Sequence, residues 1–108
     1  MQLSLLKGYP DFIGKRAAFV GYGNGPASYS QTNGDVVTFP LPNWYIDAIT
    51  SSVNSVSGTY FVRAQPAGVG ARRTWGLYWY TASSGAPVGN GVNLSTEQVQ
   101  IGGFCGQY

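Results

Sequence analysis

Histidine is absent from the 108 residues. That removes the commonest general base and the commonest metal ligand, and with them Ser-His-Asp and Cys-His catalysis. There is one cysteine, Cys105, so no internal disulfide can form and no thiolate zinc site can be assembled within the chain. The expected role of Cys105 is that of a small buried hydrophobe. Carboxylates number four, Asp11, Asp35, Asp47 and Glu97. Asp11 and Asp35 follow turn signals, and no spacing suggests the converging pair that glycoside hydrolysis needs. The sequence therefore predicts no catalytic residue, no metal site and no cofactor.

Charge is scarce in general. Charged residues make up 9% of the chain, against about 25% in typical soluble domains. Lysine occurs at Lys7 and Lys15 and nowhere else. Ser, Thr, Asn and Gln supply most of the polarity. A free monomer normally uses charge to stay soluble and to blunt sheet edges. This composition instead suggests a surface that is covered by neighbours or works outside a cell. Long apolar runs are missing too. The apolar patch in MQLSLLKGYPD is too short for a secretory leader, and no stretch approaches a membrane span. Synthesis in a cytoplasm and no membrane partner are the expectations.

What is present is aromatic and turn-rich. The hydrophobic fraction is 44% and the aromatic fraction 15%, which argues against disorder. At this length one domain, 1–108, is expected, with residues 1–8 as an extended arm or edge strand. The densest aromatic stretch is Gly58–Thr81, GTYFVRAQPAGVGARRTWGLYWYT. It reads as two strands, Thr59–Gln65 and Thr74–Thr81, around a Gly/Pro loop. Alternation puts Tyr60, Val62 and Ala64 on one face and Phe61, Arg63 and Gln65 on the other. In the second strand Trp75, Leu77 and Trp79 oppose Thr74, Gly76, Tyr78 and Tyr80. Both sides of that strand are bulky, so it is either buried twice or carries a contact surface.

Along the rest of the chain, residues 2–6 alternate as a short strand, and Lys15–Tyr22 reads as another. Gly21–Pro26 is glycine-rich, but it lacks the Lys-Ser/Thr of a phosphate-binding loop. Asn33-Gly34 predicts a two-residue type I′ hairpin pairing Thr32 with Asp35 and Ser30 with Val37. Over Asn43–Val56 a helix, favoured by the spacing of Tyr45, Ala48, Ile49, Ser52, Val53 and Val56, competes with a strand over Trp44–Thr50. Asn90-Gly91 suggests a small hairpin between Ala86–Val88 and Val92–Leu94. Glu97–Phe104 alternates as a last strand. The fold class expected is all-β, a small antiparallel sandwich or barrel of about 6–8 short strands, with one short helix at 44–56 as the open alternative.

Three functional classes remain. The composition matches a structural subunit that binds a protein lattice or copies of itself. A virion protein, made in a host cytoplasm, is the leading version: a phage capsid decoration (cement) subunit, or another capsid or tail component. Tyr, Trp and Arg are the usual anchors of such contacts, which singles out Arg72, Arg73, Trp75, Tyr78 and Tyr80. The alternative is a carbohydrate-binding β-sandwich module that stacks sugars on Trp44, Trp75 or Trp79. Nucleic-acid binding through Arg63, Arg72 and Arg73 ranks last, because the net charge is only +2.

Overall fold

The computed structural model describes residues 1–13, 16–66 and 74–107. The described residues are all-β, with eight strands in two antiparallel sheets. They are β1 (Ser4–Leu5), β2 (Asp11–Ile13), β3 (Arg16–Asn24), β4 (Asp35–Val36), β5 (Trp44–Val53), β6 (Tyr60–Pro66), β7 (Trp75–Thr81) and β8 (Gln98–Gln107). The larger sheet runs β1-β3-β8-β5, with β2 on the same edge of β3 as β1; the smaller runs β4-β7-β6. No helix among the described residues is long and apolar enough to cross a membrane.

The period-2 pattern sorts the faces. In β3, Ala17 and Phe19 point inward, and β8 adds Val99, Ile101 and Cys105, of which Cys105 pairs with Ala17 while Val99 and Ile101 lie opposite Gly23 and Gly21. From the smaller sheet come Val62, Leu77 and Trp79, the last two fully buried. Leu3 and Leu94, from either end of the chain, complete the same cluster.

Residues 43–56 form no helix. β5 pairs with β8 over Trp44–Val53, with bulges after Ile46 and after Ile49. Each bulge inserts one residue and restores the facing one position late. Ile46, Ile49 and Ser52 therefore stand opposite Cys105, Gly103 and Ile101 on one face, while Tyr45, Ala48 and Val53 stand on the other. The β-branched residues of the segment are satisfied as strand residues. Between the two bulges the Ala48 carbonyl crowds Gly103 so closely that a Cβ there would collide with its oxygen.

Both predicted small hairpins are replaced by longer-range pairings. Gly34 has φ of +69° but Asn33 does not share that conformation, so the type I′ turn is absent. Instead Gly34 N–H donates to the Ser30 carbonyl at 2.9 Å, and Ser28–Ser30 is not a strand. Tyr29 exchanges backbone bonds with Gly91 and Val92, at 2.8 and 3.0 Å. Its buried hydroxyl accepts the Trp79 N–H at 3.0 Å. Residues 86–88 join β7 rather than 92–94: Val88 N–H donates to the Trp79 carbonyl at 3.0 Å. A buried tyrosine anchoring two loops to β7 outweighs the local turn preference.

The two sheets are stitched at both sides. On one, Thr38 N–H donates to Met1 O at 2.8 Å and Leu3 N–H to Thr38 O at 3.1 Å. On the other, Ser55 N–H donates to Tyr60 O at 2.9 Å. Beneath the first seam lies the buried carboxylate of Asp35. Its Oδ1 is 2.6 Å from the Met1 α-ammonium, and its Oδ2 accepts the Trp79 indole N–H at 3.2 Å. The ammonium also donates to the Val36 carbonyl.

Two outcomes follow. Asp35→Ala removes the acceptor from a buried cation and a buried indole, and should cost about 3–5 kcal/mol in denaturant unfolding, while Asp35→Asn, which keeps one carbonyl oxygen, costs less. Burial pushes the Cys105 thiol from 9.0 up to about 11. It also raises Tyr29 above 10.0, although the bond from Trp79 N–H works the other way. For Cys105 the unfolded chain holds fewer protons than the folded one between the two values. Its share of stability is complete below pH 9 and lost as pH rises through about 11, a total of roughly 2–3 kcal/mol. The cost of Cys105→Ala measured at pH 8 should therefore shrink above pH 11.

Candidate functional site

The β6–β7 ladder sets the site. Phe61 pairs with Tyr80 and Arg63 with Tyr78, and these side chains stand on the outer face because Val62, Leu77 and Trp79 take the inner one. The Phe61 and Tyr80 rings stack with centroids 5.3 Å apart and 15° between planes. The Arg63 guanidinium lies over both, 5.6 Å from the Tyr80 centroid and 5.9 Å from that of Phe61. Such contacts hold a cation in place at about 0.5–1 kcal/mol each on an exposed surface. The Tyr78 ring covers Gly34, where an added Cβ would meet it at 3.0 Å. Tyr78 and Tyr80 are half-buried and Arg63 is exposed.

Among the outward residues of β6 and β7 the one charge is Arg63, and within the described residues its guanidinium has ring contacts and no ion pair. The result is an aromatic shelf with an exposed arginine over its stacked rings.

The five residues singled out from the sequence separate. Tyr78 and Tyr80 come together on this shelf. Trp75 lies on the opposite face, half-buried against the core, its indole N–H donating to the Ile46 carbonyl at 3.2 Å. Arg72 and Arg73 lie outside the described residues. Phe61 and Arg63, which complete the shelf, were legible as sharing a face by alternation. Their contact with Tyr80 needed the cross-strand register.

The tryptophans are largely committed to packing. Trp79 is fully buried. Trp44 is flanked by Phe12 at 5.9 Å and stacked on Phe39 at 6.5 Å, so Trp44 and Trp75 are both partly covered rings. Phe12 itself is 63% exposed. On the other sheet a shallow groove of about 760 Å³ is lined by Leu6, Tyr22, Val53, Val56, Gln98 and Gln100, among others, without a charged side chain.

Two of the carboxylates have visible structural partners. Asp35 is buried in the seam, and Glu97 accepts from the Ser57 hydroxyl. Among the described residues no three His, Cys, Asp or Glu side chains converge to hold a metal. No family model, curated protein or solved structure matches the chain.

The two faces of β7 predict opposite mutational behaviour. Trp79→Ala should cost about 3–5 kcal/mol and lose the Asp35 bond as well. Tyr78→Ala/Tyr80→Ala should leave a folded protein with an unchanged far-ultraviolet spectrum and a melting temperature lowered by several degrees. Unfolding of the double variant would place these rings in the core.

Proposed function

We propose that this chain is a non-enzymatic assembly subunit that docks on a protein lattice or on copies of itself. In its most concrete form it is a small virion protein, a phage capsid decoration subunit or other capsid or tail component, made in a host cytoplasm. The observation that carries the reading is the shelf of Phe61, Tyr78 and Tyr80 with Arg63 clamped over its stacked rings, on a chain only 9% charged.

Apolar area removed from water contributes about 25 cal/mol per Å², and a lasting contact needs more than about 1,000 Å². Stacked rings supply such area with little side-chain entropy left to lose. Arg63 is already ordered by the rings, so its donors can meet a partner's carboxylate or carbonyl without a further ordering cost. The rarity of other charges means that little ionic hydration must be stripped when this surface is covered. Acidic groups on the partner fit the single positive charge.

The reading is tested on particles from a culture producing the chain. Antibody against the purified protein should label those particles at regular positions. Purified wild-type protein should rebind particles stripped of it, and Arg63→Ala/Tyr80→Ala protein should rebind at least about tenfold more weakly, the loss of one good anchor contact. Absence from particles, or equal rebinding by the variant, overturns the proposal. A strong hit on a glycan array with no particle association would favour the carbohydrate-binding alternative.

A further inference from the structure

The second seam between the sheets carries a different feature. β5 ends the larger sheet and β6 ends the smaller. Past the turn that joins them, the Ser52 hydroxyl donates to the Val62 carbonyl at 3.1 Å, a side chain standing where a ladder bond would be. Beyond it, no backbone hydrogen bond links β5 to β6 among the described residues. A cleft of about 360 Å³ opens there, between Ile49–Ser52 on one wall and Val62–Ala64 on the other.

The direction of the free groups follows from the bonds already made. The Tyr60 carbonyl accepts from Ser55 and the Val62 carbonyl from Ser52, so both point toward β5. In an antiparallel strand the N–H and C=O of alternate residues point the same way. Val62 N–H and both backbone groups of Ala64 therefore face the cleft, while Phe61, Arg63 and Gln65 serve the ladder with β7. Pro66, two residues on, has no N–H and closes the edge. Sheet edges in native proteins are usually paired, covered or charged. This one is short and bounded, with backbone donors and acceptor on one side and Ile49 and Ser52 on the other.

We propose that the Val62–Ala64 edge is a strand-addition site for a short extended segment of a partner protein. Backbone pairing supplies the affinity in this mode, and alternate side chains supply selectivity. Three residues of added strand span about 10 Å. Inward positions must be small or β-branched, to fit between Ile49 and Ala64. Arg63 lines the cleft and is exposed, and its positive charge suits a segment that carries a carboxylate at its end. The backbone edge is separate from the aromatic rings, and the two surfaces share Arg63.

The probe is the blocked hexapeptide acetyl-Thr-Val-Thr-Val-Thr-Asp-amide, titrated into the labelled full chain while backbone amide shifts are followed. Saturable shifts confined to Ile49–Ser52 and Val62–Ala64 are expected. Ala64→Ser, which keeps the N–H, should bind as wild type does. Ala64→Pro removes that donor without touching the β7 ladder and should weaken binding about tenfold. Tyr80→Ala, which disrupts the shelf, should leave peptide binding in place, so failure here and failure of the lattice reading are separable. No saturation with wild type, equal binding by Ala64→Pro, or loss in Ala64→Ser overturns the proposal. Amide exchange in the free wild type gives an answer even where Ala64→Pro does not fold. Exchange at Ala64 much faster than at Arg63 and Gln65 supports an open edge, and equal protection refutes it.

Discussion

The buried carboxylate of Asp35 is the constraint on which the two sheets depend. An isolated ion in the interior is costly, and this one is retained because each oxygen has a donor. The Met1 ammonium comes from the strand side of the larger sheet and the Trp79 indole from the centre of the smaller. Satisfying both donors fixes where the first residues run, which lets Met1 and Leu3 pair with Thr38 and close that side of the sandwich. It also fixes the rotation of Trp79, around which Leu77, Val62 and the Tyr60 ring are packed.

The outer shelf is a consequence of that inner arrangement. Side chains alternate along β7, so holding Trp79 inward forces Tyr78 and Tyr80 outward. The partner strand β6 is subject to the same rule. Val62 is drawn into the core, and Phe61 and Arg63 are left outside beside Tyr80 and Tyr78. The exposed stack and its arginine are thus placed by burial on the other side of the sheet. The opposite seam behaves differently: on the side of Ser52 away from the connecting turn β5 and β6 do not pair, and one hydroxyl bond stands in place of a ladder.

Several elements were legible because local chemistry and final environment agree. β6 and β7 are rich in residues that suit a pleated surface, and β8 shows Val99 and Ile101 alternating with Gln98 and Gln100. Other segments were misjudged wherever a contact distant in the chain overruled a local preference. Asn33-Gly34 suits a tight hairpin, yet the hydroxyl of Tyr29 has a partner on Trp79 and the segment follows it. Residues 43–56 have helical spacing, yet β5 is a strand whose bulges divide those residues between its two faces, and a bulge leaves no separate mark in composition. β2 was missed because three residues after a turn signal are too few to show a period.

From its residues alone, this chain is a small, charge-poor β protein without histidine, with Phe61 and Arg63 facing one way and Tyr78 and Tyr80 sharing a side of their own strand. These properties depend on composition and on the two-residue repeat, both of which are local. Packing settled which side of β7 is wet, which rings touch, and where an edge stays open. Those outcomes depend on cross-strand register and on a buried charge finding its donors, and both join residues that lie far apart along the chain.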